Sequence, residues 1–166
     1  MSTLVSVNTY AHTVTFVTDK MLKSLRYIIT STGLDPNKFV NDWKTYELGV
    51  QTWLTSKHLK GITLEIVSPT GALVTRCDFE INYTYGNGEG SMWLDTDALK
   101  FAITKFGTIP SSCTYSIILT TDPNRSDVAG WGPASYLSTE GFTKQSLGTT
   151  IGTSSIGAQA SYWRKS

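Results

Sequence analysis

The chain has 166 residues, 40% of them hydrophobic and 11% aromatic, which is enough for one well-packed core and too little to expect two. Fourteen basic residues against thirteen acidic ones leave a formal charge of +1, so no overall field attracts nucleic acid or an anionic membrane. With no leader at Met1, no run of about 18 apolar residues and two cysteines that fit free thiols, we expect a soluble cytoplasmic protein.

The first part of the chain predicts one strand followed by two helices. Residues 7–16 alternate apolar and polar side chains, as a half-buried strand does; the apolar ones are Tyr10, Val14 and Phe16. An apolar set at helical spacing then predicts a helix from Thr18 to Gly33. A second helix restarts at Asp35, an N-cap followed by a proline, and its apolar stripe comprises Phe39, Trp43, Tyr46, Val50, Trp53 and Leu54.

A β-hairpin, a third helix and a further strand follow. Residues 62–66 and 73–85 alternate around a Pro-Thr-Gly turn, which predicts a hairpin with one face in water. The residues of that wet face are Arg76, Asp78, Glu80 and Asn82. Asp95 caps a helix that ends at Gly107, and residues 115–119 form the next strand. Three helices on one face of a largely antiparallel sheet make the fold class α+β.

The tail, residues 122–166, is rich in Gly, Ser and Thr, as flexible linkers are. A linker needs no apolar anchors, yet the tail carries Trp131, Tyr136, Leu137, Phe142, Leu147, Ile151, Ile156, Tyr162 and Trp163. It is therefore expected to dock on the preceding body. Its local propensities favour no single conformation, so two arrangements of similar free energy are expected.

Candidate chemistry is sparse. His12 and His58 are far apart and lie outside any metal-ligand spacing, and we interpret His12 as a partly buried strand residue and His58 as a surface residue. The glycines of the 86–90 loop precede no GK[ST] sequence, so a hairpin loop explains them better than a phosphate site. We predict no catalytic residue, no metal and no cofactor.

The chain resembles the bacterial HORMA-domain proteins encoded beside cyclic-oligonucleotide synthases in anti-phage defence (CBASS) islands. The resemblance covers almost the whole chain, through VTDKMLKSLRYIITSTGLDPNKFVNDW, GSMWLDTDALKFAITKFG, PSSCTYSIILTTDP, STEGFTKQSLGTTIG and the terminal SYWRK. It implies one HORMA domain over residues 1–166. Residues 1–121 would form the core, and residues 122–166 a C-terminal safety-belt region that wraps around an extended peptide, the closure motif.

The resemblance also implies partners. In such proteins the closed, peptide-bound form binds and activates a cGAS/DncV-like nucleotidyltransferase (CD-NTase). An AAA+ ATPase then pulls the closed form apart, commonly by engaging the N-terminal segment. From the near-zero net charge we expect no direct contact with nucleic acid or with a membrane.

Peptide capture by strand addition needs a free sheet edge and a cover. The strand of residues 115–119 is the expected edge, and the predicted peptide-binding residues are Tyr115, Ile117, Leu119, Trp131, Phe142 and Leu147. Plain core packing is the competing explanation for each of these large apolar side chains. Two further function classes stay open: a self-assembling phage or virion subunit, and a small enzyme.

Overall fold

The computed structural model describes residues 10–83 and 92–166. The helices are α1 Tyr10–Ser31, α2 Asn37–Asn41, α3 Trp43–Thr55 and α4 Thr96–Lys105. The strands are β1 Leu59–Val67, β2 Leu73–Asn82, β3 Trp93–Leu94, β4 Thr114–Thr121, β5 Phe142–Gly152 and β6 Gly157–Lys165. The strands form one antiparallel sheet of six, in the order β3-β5-β6-β2-β1-β4, and the α+β fold class is confirmed.

The strand predicted at residues 7–16 is wrong, because α1 already begins at Tyr10. The buried residues of α1 keep three- and four-residue spacing throughout: Thr13, Val14, Val17, Thr18, Met21, Leu22, Ser24, Leu25, Ile28 and Ile29. His12 is consequently an exposed helix residue and not a partly buried strand residue. The helix ends at Ser31, and the predicted stop at Gly33 follows two residues later, where a φ of +83° suits a residue without a side chain.

The structure has four helices where the sequence predicts three, because the second predicted helix is divided at Asp42 into α2 and α3. The predicted cap of α4 is confirmed, because Asp95 Oδ1 accepts a hydrogen bond of 3.2 Å from the Ala98 amide and so satisfies an amide that the first helical turn leaves unpaired. The predicted cap at Asp35 is wrong, because the N-cap position of α2 is Pro36 and carries no side-chain cap. Asp35 Oδ1 instead accepts a hydrogen bond of 2.9 Å from the amide of Asn37, two residues further on, as in an Asx turn.

The predicted hairpin of β1 and β2 is confirmed and forms the middle of the sheet. Its inner face packs under α1 and α3 and carries the core residues Ile62, Leu64, Ile66, Cys77, Phe79 and Ile81. Cys77 is a buried free thiol, as expected of a small core residue. Tyr85 and the predicted loop of residues 86–90 lie outside the described residues.

The outer face of this hairpin is only partly in water, which corrects the prediction. Glu80 and Asn82 are exposed, but the side chains of Arg76 and Asp78 are only 13% and 16% exposed. The Trp163 indole on β6 covers them and donates a hydrogen bond of 2.7 Å to Asp78. The alternation identifies the two faces of a strand correctly, but it does not show that the tail returns to cover the outer one.

The tail contains a second hairpin that the sequence analysis did not predict. β5 and β6 pair with each other, and β6 joins the sheet beside β2. The inward positions of β6 are small or aromatic, namely Ala158, Ala160 and Tyr162, so the strand lacks the usual apolar alternation. Residues 122–141, here called the belt, have no helix or strand and connect β4 at one side of the sheet to β5 near the other.

Candidate functional site

β4 is an edge strand. Within the described residues it pairs with β1 along one side and with no strand along the other. Its first part is fixed to the helices, because the Tyr115 hydroxyl donates to the Asp35 carbonyl at 2.8 Å and accepts from the Phe39 amide at 3.1 Å. Burial raises the pKa of this hydroxyl. The unpaired side of β4 therefore belongs to a strand that is held rigidly by its neighbours.

The first part of the belt, residues 122–132, docks on α3 through aromatic side chains. The Trp131 indole N–H donates to the Thr45 carbonyl at 3.0 Å, and its ring lies 5.9 Å from the Tyr46 ring and 5.8 Å from the Trp53 ring. Trp53 in turn donates to the Ser126 carbonyl at 2.9 Å. These contacts place the belt on the helical side of the sheet.

Two glycines allow this close approach. Gly49 lies inside α3, and a side chain there would overlap the Trp131 indole, with a Cβ only 2.6 Å from its Cε2 atom. Gly130 has a φ of +91°, and a Cβ at that position would lie 2.7 Å from Thr45 Cγ2. A glycine in the middle of a helix is unfavourable by about 1 kcal/mol relative to alanine, and Gly49 here makes room for the belt.

The second part of the belt, residues 133–141, lies on the outer face of the sheet. The Tyr136 ring stacks on the Arg76 guanidinium at 4.3 Å, and the Tyr136 hydroxyl contacts the Thr120 hydroxyl on β4. The Leu137 amide donates a hydrogen bond of 2.8 Å to Glu65 Oε2. Since one part of the belt packs on α3 and the other on the outer face, the belt passes around the unpaired side of β4.

A groove of about 570 Å³ lies between β4 and the belt. It is lined by Asp42, Thr45, Tyr46, Trp53, Ile117, Ile118, Leu119, Thr121, Arg125, Gly130, Trp131, Gly132, Pro133 and Ala134. Aromatic rings thus form the wall toward the helices, small residues form the wall toward the outer face, and one carboxylate and one guanidinium are present. Burial, with the nearby Asp42 carboxylate second, raises the pKa of Tyr46 to about 12.

The predicted site residues fall into three groups. Ile117, Leu119 and Trp131 line the groove. Tyr115 lies on β4, as Ile117 and Leu119 do, but its hydroxyl is hydrogen-bonded to the Asp35 carbonyl and the Phe39 amide. Phe142 and Leu147 lie on β5, four strands from β4 in the sheet, and do not line the groove. Peptide contact by any of the six stays a prediction.

The α3 wall of the groove contains Tyr46 and Trp53, which were not among the predicted site residues. Both were interpreted as part of an apolar helical stripe, which they are, since they are 9% and 2% exposed. The available signal was Gly49, a glycine within the apolar stripe of a helix, which indicates close approach by another segment.

The described residues hold no cluster of three or more potential metal ligands. His12 is on α1, and His58, half-buried after α3, has its Nδ1 atom 2.8 Å from the Ser56 hydroxyl. Across residues 10–83 and 92–166, the structure has no helix that is both long and apolar enough to span a membrane.

The sheet, the helices and the belt define a HORMA fold. The family model for bacterial HORMA domain 2 matches residues 1–166, and the chain belongs to this family. No curated protein sequence matches the chain.

Solved structures with the same fold share little sequence with it. A chain of the mitotic checkpoint complex crystal structure has a TM-score of 0.73 at 12% identity, over 93% of this chain and 99% of that one. C. elegans HTP-2 bound to a HIM-3 closure motif has a TM-score of 0.70 at 12% identity, over 96% and 93%. The E. coli MS115-1 HORMA:CdnC:Trip13 complex has a TM-score of 0.58 at 10% identity, over 97% and 94%.

Proposed function

We propose that this chain is a regulatory adaptor that binds an extended peptide in the groove between β4 and the belt. The observation that carries the proposal is the groove itself, about 570 Å³ of space beside an unpaired strand edge. Binding pockets in proteins commonly measure about 300 to 1,000 Å³. The chain itself catalyses no reaction in this proposal.

Strand addition accounts for the shape of the groove. A peptide laid along β4 gains backbone hydrogen bonds from the unpaired amides and carbonyls, and alternate side chains point to opposite walls. Those facing α3 meet the rings of Tyr46, Trp53 and Trp131, whereas those facing outward meet Pro133 and Ala134. We therefore expect large apolar side chains at alternate positions of the peptide and smaller ones between them.

The similar structures support a role in signalling. One contains a HORMA protein bound to a closure motif, and another contains a bacterial HORMA protein with CdnC and Trip13. By analogy, the peptide-bound closed form of this chain binds and activates a cGAS/DncV-like nucleotidyltransferase in anti-phage defence. A partner AAA+ ATPase then takes the closed form apart.

Peptide capture is tested with a displayed library of random 12-residue peptides. We expect the selected peptides to share alternating apolar positions and to lose binding when alternate backbone amides are N-methylated, because methylation removes the hydrogen bonds to β4. Fluorescence anisotropy with the parent and with Trp131→Ala measures the affinity. Both alternate methylation patterns are compared, because only every second amide of an added strand faces β4. Binding unchanged by either pattern would contradict strand addition.

The signalling role is tested with a selected peptide and the nucleotidyltransferase encoded nearest to this chain's gene. If the enzyme recognises the closed form, peptide and enzyme tighten each other's binding by the same factor. Isothermal titration of the enzyme with and without peptide measures that factor. Identical affinities in the two titrations would mean that the protein binds a peptide but that the peptide does not control binding of the enzyme.

The unpaired side of β4 also supports the second candidate, a self-assembling structural subunit, because an open strand edge pairs readily with another copy. Size-exclusion chromatography with light scattering separates the two candidates. A monomer across the micromolar range agrees with the adaptor, and a concentration-dependent series of larger species agrees with the subunit.

A further inference from the structure

Two charged side chains on the outer face of the sheet hold the belt without lining the groove. Glu65 on β1 and Arg76 on β2 are directly opposite each other in the sheet. Tyr136 and Leu137 of the belt rest on them.

Glu65 is the more unusual of the two because it is only 3% exposed. A buried carboxylate is unfavourable unless hydrogen-bond donors reach it, and bonds to an ionised acceptor are stronger than neutral ones. The Leu137 amide supplies such a bond at 2.8 Å. No ion pair joins Glu65 to a lysine or arginine in the part of the chain described. If the belt moves away, this carboxylate loses a donor from the protein.

Arg76 provides a prearranged surface for Tyr136. Its guanidinium is 3.0 Å from Asp78 Oδ1, and Asp78 is itself fixed by hydrogen bonds from Thr63 at 2.6 Å and from Trp163 at 2.7 Å. The guanidinium lies 4.3 Å from the Tyr136 ring centre, a cation–π geometry. Tyr136 is 43% exposed, so this stacking and its hydroxyl contact to Thr120 are what position it.

We propose that Glu65 and Arg76 are positioning residues that fasten residues 133–141 across β4 and so set how long a bound peptide is retained. The inference rests on the proposed peptide-binding function. It goes beyond that function because neither side chain lines the groove or is placed to touch a peptide in it. Removing either one should accelerate peptide release without altering which peptides are chosen.

The fastening itself is measured without any peptide, by amide hydrogen exchange in the full chain. Glu65→Ala removes the acceptor, and we expect the Leu137 amide to exchange about tenfold faster or more. Glu65→Gln keeps a carbonyl acceptor and should lie between Glu65→Ala and the parent. Glu80→Ala is the matched control, because Glu80 is an exposed glutamate on the outer face of β2. Exchange at Leu137 that is unchanged in Glu65→Ala would overturn the proposal.

The consequence for binding is measured as the dissociation rate of a labelled 12-residue peptide selected from the displayed library. Glu65→Ala and Tyr136→Ala should each release it about tenfold faster, while Tyr136→Phe, which keeps the ring on Arg76, should stay closer to the parent. If Glu65→Ala does not fold, Tyr136→Ala supplies the same test from the exposed side of the contact. Faster exchange at Leu137 with unchanged peptide release would also overturn the proposal.

The two proposals fail in different ways. If no library peptide binds the parent chain, the proposed function is wrong, and exchange at Leu137 still decides whether Glu65 fastens the belt. If peptides bind but Glu65→Ala and Glu80→Ala behave alike in both measurements, the groove function stands and the positioning role is wrong.

Discussion

The middle of the sheet and the belt are held in place by different kinds of interaction. Ile62, Leu64 and Phe79 are at most 1% exposed beneath the helices, and many neighbours share in burying each of them. The belt has one buried apolar side chain in its first part, Val128, and otherwise depends on separate contacts such as the Trp131 indole on α3. Burial is non-directional and distributed, whereas the belt contacts are few and specific. We therefore expect the belt to change position at a free-energy cost well below that of unfolding.

The largest effect is expected in the middle of the sheet. Phe79→Ala deletes a fully buried ring and leaves a cavity, which should lower the free energy of unfolding by about 3 to 5 kcal/mol. Phe101→Ala is the control, because that ring is 52% exposed on α4 and its loss should change the free energy of unfolding by less than about 0.5 kcal/mol. Urea denaturation measures both. Similar losses in the two variants would show that the core is not where the structure places it.

The next effect separates the belt from the core. Gly49→Ala improves helix propensity by about 1 kcal/mol, yet its methyl group would overlap the Trp131 indole and force the belt away from α3. We expect the free energy of unfolding to fall by about 1 to 2 kcal/mol, and tryptic cleavage after Arg125, in the belt, to accelerate about tenfold.

Gly132→Ala is the matched control, because a Cβ at Gly132 meets no atom within 4 Å. A stabilised Gly49→Ala protein with slow cleavage after Arg125 would contradict the docking of Trp131 on α3.

The third effect appears only at alkaline pH. Burial raises the pKa of Tyr46 from its ordinary value of 10.0 to about 12, so between pH 10 and pH 12 the folded protein keeps a proton that the unfolded chain has lost. The contribution of the protonated Tyr46 hydroxyl to the free energy of unfolding is complete below pH 10 and falls as the pH rises toward 12. Tyr46→Phe should show a smaller loss of stability between pH 10 and 12 in thermal unfolding. Part of the loss should persist, since burial also raises the pKa of Tyr83 and of Cys77.

The smallest effect is expected at Phe142. Phe142 is one of the predicted peptide-binding residues, but it lies at the start of β5, paired with Lys165 and half-buried. Phe142→Ser should therefore change peptide affinity by less than about threefold, or about 0.6 kcal/mol. Trp131→Ala in the same anisotropy assay is the comparison. A loss at Phe142 as large as that at Trp131 would mean that the bound form brings β5 to the peptide.

The helices and the central hairpin were predictable because burial repeats along them with the period of each element. The residues at the start of α1 were mistaken for a strand because Tyr10, Val14 and Phe16 are separated by even numbers of residues, although the buried face of the helix is formed by Val14 and Val17. The β5–β6 hairpin was missed because its buried positions include Ala158 and Ala160, which carry little apolar signal.

The candidate site was predictable only where it is local in sequence. Ile117, Leu119 and Trp131 lie close to one another along the chain and to the tail that covers them. The opposite wall comes from α3, more than sixty residues earlier, and only the folded structure brings Tyr46 to Trp131. The outer contacts of Glu65 depend on a backbone amide, which every residue except proline carries, so no side-chain pattern could reveal them.

The belt is part of the main chain and is attached at both of its ends, to β4 before it and to β5 after it. A strand lying beside β4 under the belt would therefore be encircled by a closed loop of covalent and hydrogen-bonded structure. Such a strand can leave in two ways, by sliding out lengthwise or by waiting until the belt lifts. A free peptide has both routes, whereas the same sequence between two folded domains has only the second. Two ligands with identical contacts in the groove would then differ in dissociation rate. The free peptide would leave faster than the same sequence flanked by folded domains, because those domains are too large to slide under the belt.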